Sequence, residues 1–283
     1  MPVPLPPALE RSLDLLRCPT CRTRRLRPDR GALRCAEGHT FDIARHGYAG
    51  LLTGGRATSG DDAAAVRARR RFLSTGAYAP IREVVAGLAA DAAPERAAVV
   101  DVGCGTGYHL AGVLDHLPGA RGLGLDTSVR ALRSAARAHE RAAAAAWDVF
   151  RPFPLAGGAV DVVLDVFAPR NPAEFHRVLR PTGRLVVVRP TGRHLAELRG
   201  RVPSMLAVDP AKEQRLHRAL DPCFEAVVTE RVEYTAPVTG QAVADLVGMT
   251  PSARRSNPED PTGGVPLPDR VTVSVLATAY RPR

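Results

Sequence analysis

The sequence predicts an α/β protein: a Rossmann-like, seven-stranded doubly wound sheet with a small N-terminal metal-binding module ahead of it. Three observations carry this. Cys18, Cys21, Cys35 and His39 are spaced C-x2-C-x13-C-x3-H, a glycine-rich strand-to-helix turn runs from Asp101 to His109, and short apolar runs alternate with helical stretches from Ala97 onward.

A chain of 283 residues holds one large α/β domain plus an appendage, and 45% hydrophobic residues are ample for its core. No apolar run reaches the ~18 residues of a bilayer span, and Met1 to Arg17 is too rich in proline, and too acidic, for a secretory leader. The sequence therefore reads as cytoplasmic, with no membrane partner. The formal charge is +10, almost entirely from arginine, since Lys212 is the sole lysine. Arginine's planar fork suits phosphate, so a polyanionic partner is expected. A codon-driven bias explains arginine over lysine better than it explains the excess of positive charge.

Five cysteines make an odd count, and three of them lie close together beside a histidine while Cys104 and Cys223 stand apart. That pattern favours metal ligation in a reducing compartment over a disulfide framework. Zinc takes a tetrahedron of thiolates and imidazole. Cys18 and Cys21 supply one side, and Cys35 and His39 close the other after a hairpin turning at Asp29-Arg30-Gly31. Protein fills all four positions, so the zinc is structural. Arg17, Arg22, Arg24, Arg25, Arg27, Arg30, Arg34 and Arg45 crowd the module. They suit a phosphate backbone, or are a solvated surface. His46 reads as a surface residue.

The stretch from Thr53 to Gly60 reads as a linker, after which Asp61 or Asp62 caps a helix reaching Leu73 and carrying Arg67, Arg69, Arg70 and Arg71. Strands are expected at Ala97 to Val102, Arg121 to Leu125, Ala142 to Ala146, Val160 to Phe167 and Arg184 to Arg189. Phe224 to Tyr234 and Val271 to Tyr280 are expected to pair as a final antiparallel hairpin. The first strand ends in Asp101-Val102-Gly103-Cys104-Gly105-Thr106-Gly107. The G-x-G-x-G spacing with a preceding acid departs from the dinucleotide fingerprint toward S-adenosylmethionine-dependent methyltransferases, so the expected sheet is of the Rossmann-like class I methyltransferase type. Asp126 ends the second strand, where it can accept both ribose hydroxyls. Asp148 follows the third, where it can accept from the adenine amino group. Either alone reads equally as a helix cap; successive matches at strand ends favour donor binding. Cys104 reads as small-residue packing.

With these residues in place the chain resembles the RlmA family of 23S ribosomal RNA guanine-N1 methyltransferases, and within it the tylosin-resistance branch. The resemblance rests on the zinc quartet followed by Gly38-His39-Thr40-Phe41-Asp42, then Gly47-Tyr48, Ala68-Arg69-Arg70-Arg71-Phe72-Leu73 and Gly76-Ala77-Tyr78. Further blocks are Val166-Phe167-Ala168-Pro169, Arg193-His194-Leu195-Ala196-Glu197-Leu198 and Met249-Thr250-Pro251. It implies zinc on Cys18, Cys21, Cys35 and His39, and S-adenosylmethionine contacts from Tyr78, Gly105, Thr106 and His194. Asp101, Gly103 and Gly107 complete the expected donor site with Asp126 and Asp148. The implied substrate is a guanine in the hairpin 35 loop of 23S rRNA, where methylation hinders tylosin-type drugs. It also implies that a homodimer could place two zinc modules around one hairpin. Which neighbouring guanine is taken stays open. Where relatives carry an aromatic after Met-x-Pro, this chain reads Ser252-Ala253-Arg254-Arg255, so a base-stacking partner is replaced or moved.

These expectations divide the chain into a zinc-binding RNA-recognition module at 1–55 and a methyltransferase domain at 56–283. Guanine N1 carries a proton that a base or water must remove. After the fourth strand, Asp165 is a candidate base and Arg170 a candidate to offset charge on O6. The segment lacks the Asn-Pro-Pro-Tyr type motif of adenine-N6 chemistry. Two other classes stay open: a small-molecule methyltransferase, of natural-product or quinone type, with a structural zinc appendage, and a nucleic-acid-binding module without catalysis.

Overall fold

The computed structural model describes residues 4–22, 24–54, 60–202, 205, 211–250 and 265–283. A short helix α1 (Pro7–Arg11) leads into three strands, β1 (Arg27–Asp29), β2 (Ala32–Arg34) and β3 (Thr40–Asp42), ordered β1-β2-β3 in one antiparallel sheet. The predicted turn joins β1 to β2. Arg30 and Gly31 take φ of 46° and 88°, the pair of left-handed residues a two-residue hairpin requires.

Helices α2 (Ala63–Ser74) and α3 (Ala79–Ala90) follow, and then the main sheet begins. Its first part is β4 (Ala98–Val102), α4 (Tyr108–His116), β5 (Arg121–Asp126), α5 (Val129–Ala135), β6 (Ala142–Ala146), β7 (Val160–Val166) and α6 (Pro172–Val178). The second part is β8 (Leu179–Pro190), α7 (Ala196–Arg199), α8 (Ala211–Leu220), β9 (Phe224–Pro237), α9 (Gly240–Gly248) and β10 (Arg270–Pro282). The order is β6-β5-β4-β7-β8-β10-β9, parallel from β6 to β8 and antiparallel across β8-β10-β9. The order reverses direction at β4 and β7, so a crevice opens beyond their C-terminal ends, where ligands bind in such sheets.

All seven predicted strands form. β8 starts at Leu179, five residues before the expected start, because the segment after α6 runs straight into the sheet. The final pair is antiparallel as expected, but α9 lies between its strands in the chain, so it is no tight hairpin. Asp62 caps α2, accepting from the Ala65 N–H at 2.9 Å.

The small N-terminal sheet does not stand apart. Leu15, Leu16, Leu33, Phe41, Ile43 and Leu51 share one buried cluster with Leu123, Ala143, Ala145 and Phe175 of the main sheet and α6. Ala49 pairs with the outer edge of β6, donating to the Ala144 carbonyl at 2.9 Å and accepting from the Ala146 N–H at 2.8 Å. An otherwise open strand edge is thereby covered. The opposite face packs α2, α3, α4 and α9 into a second cluster that includes Phe72, Ile81, Leu110 and Leu246. Among the described residues no helix is long and apolar enough to cross a membrane.

Candidate active site and metal centre

The β1-β2 hairpin and the turn at Cys18 bring one ligand atom from each of Cys18, Cys21, Cys35 and His39 within 4.8 Å of one another. Cys21 Sγ and Cys35 Sγ are 3.9 Å apart, and His39 Nδ1 lies 3.7 Å from Cys18 Sγ and 3.3 Å from Cys35 Sγ. A tetrahedron with Zn–S of ~2.3 Å has sulfur–sulfur edges near 3.8 Å. The donor set and its spacing therefore fit zinc, with no position left for water. Burial raises the Cys35 thiol, but hydrogen bonds with His39, the Glu37 backbone and Cys18 together outweigh it and bring the pKa down to about 7. Around this centre Arg22, Arg24, Arg25, Arg27, Arg30, Arg34 and Arg45 are exposed. Arg24 and Arg34 each pair with an acid, Glu37 and Asp29.

The glycine turn lies between β4 and α4. Gly103 and Gly107 have φ of 73° and 81°, and a Cβ at Gly103 would stand 2.6 Å from Ala168 Cβ, so both backbone conformation and space demand glycine. Asp126, at the end of β5, accepts from the Gly105 N–H at 2.8 Å with one oxygen and from the Ser128 N–H at 2.7 Å with the other. Two backbone bonds orient the carboxylate without exhausting its lone pairs, so it can still receive hydroxyls. Asp101 is buried beneath the turn. Burial, then the neighbouring Asp126 and Asp165 carboxylates, push its pKa up to about 8. Asp148 follows β6, buried, and accepts from the Phe150 N–H at 3.0 Å.

Tyr78 and His194, distant in sequence, meet beside this cleft. The Tyr78 hydroxyl and His194 Nε2 are 3.1 Å apart, and His194 Nδ1 accepts from the Ser274 N–H at 3.2 Å. Burial, helped by Arg199, lowers His194 to about 4, so the ring is neutral. With Nδ1 accepting, the proton belongs on Nε2, which donates to the Tyr78 oxygen. The Tyr78 hydroxyl proton is then available to an acceptor in the cleft. Phe167 joins the pair, its ring 5.9 Å from His194 and 6.1 Å from Tyr78.

Further residues complete the cleft. Arg69 on α2 makes a bidentate pair with Asp61 at 2.9 and 2.7 Å and donates to the Met249 carbonyl at 3.0 Å. Its side chain lies over Gly105, and Ser128 Oγ donates to the Asp61 carbonyl at 2.6 Å. The start of α2 is thus laid across the donor side of the crevice. Asp165 is completely buried, with Arg170 Nε 3.6 Å from its Oδ2. Cys104 is buried with its sulfur against Gly124, and burial raises its thiol pKa well above the ordinary value. The departure at Ser252 to Arg255 lies outside the described residues.

Glycine turn, strand-end acids and zinc quartet now stand on one chain, and comparison with known proteins gives the lineage. Residues 16–54 match the family model for RlmA, N-terminal, and residues 99–183 match the Methyltransferase domain model. The chain is 45% identical over 272 residues to the 23S rRNA (guanine(748)-N(1))-methyltransferase of Streptomyces fradiae, covering 94% of this chain and 96% of that one. The chain belongs to the RlmA family of methyltransferases. A Micromonospora griseorubida relative, named for 23S rRNA (guanine-N(1)-) methylation, is also 45% identical, over 290 residues, covering 95% of this chain and 98% of its own. Among solved structures, a chain of the Haloferax volcanii complex between the Trm112 methyltransferase activator and a methyltransferase superposes with a TM-score of 0.51. It is 21% identical, covers 79% of this chain and 99% of its own, and shows the fold alone. This RlmA-family chain is an S-adenosylmethionine-dependent methyltransferase with a zinc ribbon at its N-terminus.

Proposed function

We propose that the enzyme methylates N1 of a guanine in the hairpin 35 loop of 23S rRNA, at the position that the Streptomyces fradiae relative carries in its name, guanine 748. The observation that carries this reading is 45% identity over 94% of the chain to that relative. In this reading residues 1–55 grip RNA through their exposed arginines and residues 56–283 bind the donor and transfer the methyl group. The reaction takes place in the cytoplasm, a homodimer places two modules around one hairpin, and the modified ribosome resists tylosin-type macrolides.

S-adenosylmethionine supplies an electrophilic methyl group on a sulfonium sulfur. Gly103, Gly105, Thr106 and Gly107 let the backbone close on the donor at the N-terminus of α4. Asp126 would accept its ribose hydroxyls, Asp148 would accept from its adenine, and Tyr78, with its proton directed by His194, would donate to it. The Asp126 carboxylate gives this crevice negative charge that would suit a cationic sulfonium, whereas Asp101, its pKa pushed up to about 8, is largely protonated at neutral pH and Asp165 is paired with Arg170. Arg170 offsets charge that develops on guanine O6 as N1 loses its proton. Complete burial and the Arg170 partner fit Asp165 to hold Arg170 in place better than to take the proton, which leaves that task to water.

Primer extension on ribosomal RNA tests this reading, because a methyl group on N1 blocks Watson-Crick pairing. A donor-dependent stop at one guanine of hairpin 35 supports it. A stop elsewhere, or transfer only to small molecules, overturns it.

A further inference from the structure

Phe167 combines three properties that packing alone does not account for. It is a large aromatic left 40% exposed, its φ is +56°, and it sits where β7, a strand beside the donor-binding β4, ends. A left-handed backbone is costly for a bulky residue, and such outliers persist where the surroundings hold them and function uses them. The surroundings here are firm. The Phe167 N–H donates to the Val188 carbonyl at 3.2 Å, Ala168 packs against Gly103, and Asn171 ties the following turn to the Val149 carbonyl at 2.9 Å. The Phe167 ring lies nearly parallel to the His194 ring, at 26° and 5.9 Å, and closes a row with Tyr78.

A base must leave its stack before N1 can be reached, and enzymes that act on extruded bases receive them against aromatic or apolar side chains. We propose that Phe167 is the stacking platform for the target guanine, holding the purine plane against its exposed surface beside the donor site. The inference rests on the reading of this protein as a guanine methyltransferase and adds the residue that seats the base. Arg170, three residues on and anchored by Asp165, then lies on the same turn as the platform.

Three variants test it: Phe167→Leu, Phe167→Tyr and Phe167→Asn, the last because asparagine tolerates a left-handed backbone. Each is measured for S-adenosylmethionine affinity by calorimetry, thermal midpoint, and single-turnover methylation of a hairpin 35 transcript at saturating donor. Base–aromatic stacking predicts a loss of about 10- to 100-fold in the transfer rate for Phe167→Leu and Phe167→Asn, with donor affinity within about twofold. Phe167→Tyr should restore the rate to within about threefold of wild type. Phe167→Asn should match or exceed the wild-type thermal midpoint while losing activity, a combination that a purely structural role does not give. Wild-type rates in Phe167→Leu, or a loss confined to donor affinity, overturn the platform alone. No methylated guanine from the wild-type enzyme overturns the functional reading and the platform with it.

Discussion

The zinc centre and the methyl-transfer cleft are built in opposite ways. Four ligands of the metal centre come from 22 consecutive positions, Cys18 to His39, and meet because one hairpin folds back on one turn. The cleft draws on Asp61, Arg69, Tyr78, Asp126, Phe167 and His194, which come together only when the sheet is assembled. A metal centre of this kind is a local object, and its loss should leave the cleft largely intact but be severe in RNA handling. The cleft is a global object, and its parts should fail one at a time.

The largest effect tests that contrast directly. Cys18→Ser with Cys21→Ser removes two thiolates from a centre whose metal holds on the order of 10 kcal/mol of apparent binding free energy. Methylation of RNA should fall below detection, while calorimetry finds donor affinity reduced less than about tenfold. Loss of donor binding as well would show that the cluster shared with Ala143, Ala145 and Phe175 makes the two regions one folding unit.

Asp126→Ala acts from the other side. It removes a carboxylate that orients the glycine turn and, in the proposed reading, receives the ribose, a loss of about 3 kcal/mol, or roughly a hundredfold in donor affinity. Zinc content, read by metal analysis, should not change. Unaltered donor affinity would remove Asp126 from the site.

A smaller effect follows from pH. Burial lowers His194 to about 4, below its unfolded value near 6.5, so the unfolded chain binds a proton that the folded chain refuses between those limits. Stability should decline as pH falls from 6.5 toward 4, by at most about 3 kcal/mol, and His194→Gln should flatten that part of the profile. Asp101 has the opposite sign. Its pKa, raised to about 8, makes it a source of stability that is lost as pH rises through that value. An unchanged profile in His194→Gln would mean that the imidazole is not held neutral.

The smallest effect concerns α2. Arg71 reaches the Asp245 carboxylate of α9 at 2.9 and 3.1 Å through Nε, with Asp245 nearly covered and Arg71 half exposed. Solvent screening limits the stability lost in Arg71→Met to about 1 kcal/mol, measured by thermal unfolding. Methylation should fall more than stability does, because α2 carries Arg69 over Gly105. Equal losses would make the helix mere scaffold.

The same contrast explains what the sequence could convey. Zinc ligands, the Arg30-Gly31 turn and the glycine turn are set by spacing within a few residues, and each lies where its spacing implied. The strands were legible because buried parallel strands are continuous apolar runs. Tyr78 and His194 were legible only through resemblance, since their hydrogen bond spans 116 positions. Arg69 over the glycine turn, and the pairing of Arg170 with Asp165, depend on which charge the fold sets beside which, and no local pattern encodes that. Phe167 fell at the end of an apolar run and read as strand. Its left-handed backbone comes from the loop that Ala168 pins to Gly103. The docking of the metal module on β6 was hidden for a similar reason: Ala49 is one small residue in a loop, and only its pairing with Ala144 and Ala146 shows what it covers.

The most direct test of the account is the chemical identity of the product. A hairpin 35 transcript treated with the enzyme and labelled S-adenosylmethionine is digested to nucleosides and resolved by chromatography with mass detection. The account predicts label in 1-methylguanosine. Label in an exocyclic or N7-methylated guanosine, in a methylated adenosine, or in no nucleoside at all would contradict it.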